Sequence, residues 1–287
     1  MNKFVKTCLK LYAKIEQLPI MPIYERISVV VSLTLIGLAL YFVLLFPAQP
    51  VTFTLFATPL TLTSPQQWLM MVLLAVLVMA GTDTVVRAHP GLPDRRLSYL
   101  ATFWMLPGLV VILATQTLGL APTPVIWGIG LAGVGLLLWL TIIAEFRQAP
   151  GDLSPAHWSN LWRQFAGYGL ALAFFVVIYQ TRSRSALSAT GVLLVSSMIA
   201  LALLRQSPVA TTKTWLLAGV IGLILGQITW AMNYWRTGTL AVSLLLLLIF
   251  YILTGLARRQ FNDSLSRRTL WEFGAVAAVG LFVIFSL

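Results

Sequence analysis

The sequence predicts an all-α fold: a polytopic integral membrane helix bundle of about nine transmembrane helices, led by an amphipathic interfacial helix. Three observations carry this. Of the 287 residues, 59% are hydrophobic and 9% charged, where a soluble domain carries roughly 25% charged residues. Apolar runs long enough to cross a bilayer core, which needs about 20 residues per helix, recur along nearly the whole chain. Sixteen of the nineteen Lys and Arg residues fall in connections on one side of those runs. That asymmetry places the basic connections, and the N-terminus with them, in the cytoplasm. The net charge of +11 follows from the same rule, and no nucleic-acid partner is needed to explain it.

Residues 1–26 form the first unit. On a helical wheel Phe4, Val5, Cys8, Leu11, Tyr12, Ile15 and Leu18 share one face, while Lys3, Lys6, Lys10, Lys14 and Gln17 share the other. A basic amphipathic helix of this kind lies on an anionic leaflet, so anionic lipid is its expected partner. Docking of a cytoplasmic protein is the alternative use of the same face. No small-residue cleavage site follows an early apolar core, so the segment reads as retained rather than as a signal peptide. The lone cysteine, Cys8, has no intrachain disulfide partner.

Residues 27–287 read as a single transmembrane domain. Its spans are expected near 27–47, 67–86, 97–118, 124–144, 160–180, 185–204, 214–235, 238–257 and 270–287. Ser64-Pro65, Thr123-Pro124 and Ser154-Pro155 each offer a hydroxyl at the N-cap and proline at the first helical position. Thr269 and Glu272 are spaced as a capping box for the last span. The connection 48–66 carries no charge and alternates Val51, Phe53 and Leu55 with Thr52 and Thr54, then Leu60 and Leu62 with Thr61 and Thr63. Period-two alternation rich in Thr predicts a short β-hairpin, turning near Ala57-Thr58-Pro59.

Small residues recur every three or four positions at Ala218, Gly222 and Gly226, at Gly128, Ala132 and Gly135, and at Gly274 and Ala278. This spacing lets helix backbones approach closely, so the fourth, seventh and ninth spans are expected at the bundle centre, with Leu225 turned toward lipid. Pro107-Gly108 falls in the middle of the third span, where proline removes a backbone donor.

Charges inside a membrane are functional suspects. Asp83 has Arg87 four residues on, an i,i+4 pair that can snorkel to the interface. Glu145 stands beside Arg147 and reads the same way. His89 and His157 lie in basic-side connections with no second ligand at metal spacing, and there is no Gly-x-Ser-x-Gly to present a nucleophile. No catalytic residue, metal or cofactor is therefore assigned, and the chain reads as non-enzymatic.

The opposite side holds only Arg182, Arg184 and Arg236 among basic residues, with no acidic partner. Arginine takes phosphate or carboxylate bidentately and stacks on aromatics. Together with Gln180, Gln227, Trp230, Asn233, Tyr234 and Trp235 these arginines form the candidate ligand site, with Trp230 and Asn233 expected to point into the bundle. The expected function is a multi-pass membrane protein in a prokaryotic-type plasma membrane, with its C-terminus outside. It is an accessory or scaffold subunit with a membrane-protein partner, or a protein associated with membrane lipids. The alternative is a transporter or lipid-handling protein using the outer arginines.

Overall fold

The computed structural model describes residues 23–43, 51–55, 58–62, 65–89, 97–148, 157–181, 185–205, 211–234, 238–261 and 267–286. The predicted amphipathic helix 1–18 lies outside the described residues. The described part holds nine long helices: α1 (Ile23–Val43), α2 (Pro65–Arg87), α3 (Leu97–Thr117), α4 (Pro124–Arg147), α5 (His157–Gln180), α6 (Ser185–Leu204), α7 (Thr211–Met232), α8 (Thr239–Phe261) and α9 (Arg267–Ser286). A 3-10 turn, Leu118–Leu120, extends α3. Eight of these helices, α1 to α8, are long and apolar enough to cross a membrane. The protein is a polytopic helical membrane bundle.

Between α1 and α2 stand strands β1 (Val51–Leu55) and β2 (Thr58–Leu62), paired antiparallel with Val51 opposite Leu62 and Leu55 opposite Thr58. The period-two reading of this connection holds, and Thr58 and Pro59, expected at the turn, lie in β2. The α4 start also follows its sequence signal. Thr123 is the N-cap and accepts from the Ile126 amide at 3.3 Å, with Pro124 in the first turn. For α9 the helix begins at Arg267, so Thr269 lies inside it rather than at the cap. Glu272 instead meets Arg259 of α8 at 3.2 Å.

Contacts between helix ends establish an up-and-down course. At one end Tyr24 meets Arg147, Ser98 meets Trp215 and Arg258 meets Leu203. At the other Phe42 packs on Trp127, Gln116 reaches Met71 and Tyr179 reaches Thr229. A Cβ on Gly255 would meet Phe273 and one on Gly280 would meet Leu248, so α9 runs antiparallel along α8. The arginines and lysine described in the structure (Arg26, Arg87, Arg147, Arg163, Arg205, Lys213, Arg258, Arg259) thereby collect at the first end, here called the basic end.

The centre differs from the expectation. In α3, 67% of the apolar window is buried and in α6 56%, against 28% in α4 and 33% in α7. The small residues explain why. A Cβ on Gly222 would lie 2.6 Å from the Leu193 carbonyl oxygen of α6, and one on Gly226 would lie 3.2 Å from that of Ala189. Gly135 packs on Leu35 of α1, while Gly128 and Gly274 have nothing within 4 Å of their Cβ positions. The stripe in α7 marks one close helix pair, not a central helix. Leu225, expected toward lipid, is fully buried. The main buried cluster joins Leu106 and Leu109 of α3 with Val192, Ile199 and Leu203 of α6, while Leu100 and Phe103 of α3 pack with Val86 and Tyr99 in a second, smaller one. Buried hydroxyls bond back within their own helices, as Thr34 to the Val30 carbonyl at 2.7 Å and Thr229 to Leu225 at 2.7 Å. Such bonds leave few polar demands in a medium without water.

Candidate functional site

The most charged part of the interior sits at the basic end, around the C-terminus of α6. A helix leaves its last four carbonyls without intrahelical donors, and here that terminus is buried: Leu203, Leu204 and Arg205 are all under a tenth exposed. Neighbouring helices supply the donors. Arg258 of α8 donates Nη2 to the Leu203 oxygen at 3.2 Å, and Arg163 of α5 donates Nη1 to the Ala202 oxygen at 3.4 Å. Cations are also favoured there by the helix dipole.

Arg205, the residue after α6, reaches across to α4. Its Nη1 stands 2.7 Å from Glu145 Oε2, and the two side chains are 4% and 1% exposed. Its Nη2 donates to Gln148 Oε1 at 3.2 Å. Its guanidinium lies 3.6 Å above the centroid of the Phe103 ring of α3, a cation–π contact. Arg163 feels the charges of Arg205, Glu145 and Arg258 together, and its Nη2 donates to Asn160 Oδ1 at 3.2 Å. His89, at the end of α2, is buried edge-on to Phe146 with ring centroids 4.8 Å apart.

Among the described residues, only Arg205 pairs with Glu145, while Arg163 and Arg258 stand nearby on the α6 carbonyls. The Arg205–Glu145 contact has the distance of an ion pair but not the angles of a hydrogen bond: Arg205 Nη1 and both Glu145 oxygens are buried with no hydrogen-bond partner. Gln148 Nε2 and Arg163 Nε are buried without an acceptor as well. Buried polar groups in this state are costly, and the partly buried Arg163 and Arg258 add positive charge beside them. The arrangement can hold an oxyanion, which accepts several donors at once and offsets the charge.

Sequence reasoning paired Glu145 with Arg147. Instead, the Arg147 guanidinium turns outward to the Tyr24 hydroxyl at 3.5 Å. Residues two apart on a helix do not face each other, and that spacing was the available signal that Glu145 needed a partner from another helix. The Asp83–Arg87 pair forms as expected, at 2.6 Å.

A family model described as "Protein of unknown function (DUF5656)" matches residues 46–287. The chain belongs to this family. All residues of the cluster fall in the stretch matched to DUF5656, whereas α1 precedes it. No curated protein and no solved structure matches the chain.

For this DUF5656 member the residues expected at the opposite end are placed as follows. Arg182, Arg184, Trp235 and Arg236 lie outside the described residues. Asn233 turns into the α6–α7 seam, donating to Ser188 Oγ at 2.7 Å and to the Ser185 carbonyl at 3.4 Å. Trp230 does not point into the bundle. It is 52% exposed, with its Nε1 3.5 Å from the hydroxyl of Tyr234, itself 77% exposed. Gln180 and Gln227 are exposed. The described members therefore divide between a helix seam and the outer surface of the bundle.

Proposed function

We propose that the protein is a non-enzymatic, lipid-associated membrane protein that binds an anionic group of the phosphate class at its basic end. The reading takes the N-terminus as cytoplasmic, which puts the cluster at the depth of the inner-leaflet headgroups. One observation carries it: beside a cluster that, among the described residues, holds three arginines and one carboxylate, Gln148 Nε2 and Arg163 Nε are buried donors without acceptors, and Arg205 Nη1 has only the misaligned Glu145 Oε2 at 2.7 Å. Arginine forks match phosphate oxygens in geometry and charge. Arg163 and Arg258 are only partly buried, which gives the cluster a border at the surface of the bundle.

Native mass spectrometry of the protein in mild detergent tests this. Wild type is expected to retain anionic phospholipid. Arg163→Gln and Arg258→Gln should each reduce retention about tenfold or more, since a charge-assisted hydrogen bond is worth about 1.5–3 kcal/mol. Equal retention by wild type and both variants would overturn the reading.

A second reading, an accessory subunit, is favoured by one face of α1. There Glu25, Ser28 and Ser32 stand exposed among Val29, Leu33 and Ile36, lining a shallow groove of about 470 Å³. Small hydroxyl residues on an outward helix face suit contact with another membrane helix. A stoichiometric protein mass in the same spectra, lost in Ser28→Leu, is its expected signature. The arginines Arg182, Arg184 and Arg236 are proposed, separately, to meet phosphates of the other leaflet.

A further inference from the structure

We propose that Glu145 is a built-in competitor for the anion site: it occupies Arg205 as a resident counter-ion, and the ligand must displace it to bind. The proposal rests on the anion-binding reading above and concerns how that site is regulated.

The geometry is that of a poor occupant. Glu145 approaches Arg205 Nη1 to 2.7 Å, yet neither of its oxygens accepts a hydrogen bond, and Nη1 itself makes none. A carboxylate fixed to α4 brings its charge to the guanidinium but cannot align with it. Gln148, which caps the C-terminus of α4, gives its oxygen to Arg205 and leaves its nitrogen without an acceptor. A tetrahedral oxyanion has more oxygens and free rotation. It can align with Arg205 Nη1 and turn a further oxygen to the amide of Gln148, which stands beside Arg205 and lacks an acceptor on Nε2. Two anions cannot share one buried guanidinium without repelling each other. For the ligand to take Nη1, Glu145 must leave that atom, and the free energy of the pair is subtracted from the ligand's affinity. The neutral ring of Phe103 remains beneath Arg205 in either state and keeps the guanidinium in place.

This reverses the usual consequence of mutating a buried charge at a site. Removing the carboxylate should strengthen binding, because Arg205 then waits without a rival. If Glu145 instead positions Arg205 for the ligand, its removal weakens binding.

The test is direct titration of the full protein in phosphatidylcholine nanodiscs. The probes are inorganic sulfate in one series and short-chain phosphatidylglycerol in the other. Glu145→Gln is expected to bind at least one probe about tenfold more tightly than wild type, one charge-assisted contact being worth at least that factor. Glu145→Ala, which removes the same carboxylate, should tighten binding by a similar factor and carries the test if Glu145→Gln fails to fold. Tightening toward sulfate and the lipid alike assigns the shared oxyanion, and tightening toward phosphatidylglycerol alone assigns the headgroup. Equal or weaker binding by Glu145→Gln, with binding still lost in Arg163→Gln, overturns the competitor while leaving the anion site. No binding of either probe by wild type or Glu145→Gln removes the site and this proposal with it.

Discussion

At the scale of single residues, the consequential feature is which groups find a partner at the next helix and which do not. Asp83 and Arg87 are legible in sequence, because an i,i+4 pair meets on one helix face whatever surrounds it. Glu145 is not, because its partner Arg205 is sixty residues away in the chain and no local rule connects α4 with the end of α6. The same contrast holds for glycine. Gly222 and Gly128 look alike in sequence, but a Cβ on Gly222 meets the Leu193 backbone at 2.6 Å while one on Gly128 meets nothing within 4 Å. Backbone cannot yield as a flexible side chain can. Gly222→Leu is therefore expected to destabilise the protein by roughly the 1–3 kcal/mol of an overpacked core, or more, seen as a lowered melting temperature in detergent. Gly128→Leu and Leu223→Ala, the latter at a half-exposed position, should melt within a degree or two of wild type. Matching losses at Gly222 and Gly128 would show that the α6–α7 seam is not close-packed.

At the scale of elements, hydropathy and helix signals locate the helices because each depends on residues near one another in the chain. The Thr123-Pro124 start of α4 and the strands around residues 51–62 follow their patterns for this reason. The start of α9 does not. A capping box at Thr269 competes with two more helical residues, Arg267 and Arg268, and with Arg259 on α8, which takes Glu272. The basic amphipathic segment 1–18 lies outside the described residues, so its membrane role rests on pattern. A peptide of residues 1–18 should gain helicity on vesicles containing anionic lipid and lose it as salt rises, because surface attraction is screened over about 8 Å at physiological ionic strength. Equal binding to neutral vesicles would remove the basic face from the account.

For the whole molecule, the charge segregation makes a topological claim. The end-to-end contacts show that the described basic residues gather at one end. Which end faces the cytoplasm is the orientation we propose from the positive-inside rule. Reporter fusions at Asp94 and Asp263 should read cytoplasmic, and fusions at Ser64 and Leu287 external. A cytoplasmic reading at Leu287 would mean that α9 does not cross beside α8. The sequence by itself determined the class, the approximate places of the apolar helices, the hairpin and the gathering of charge. Each is written in local periodicity or in the simple fact that successive spans alternate in direction. Only the tertiary structure decided that α3 and α6 are central, that the α7 stripe serves one neighbour, and that Glu145 meets the arginine cluster. Helices that are apolar all round carry almost no directional pattern to say which face is inward, and lipid is as apolar as a core. The choice of neighbour is therefore made by shape and by the few polar groups that must find one another across the bundle.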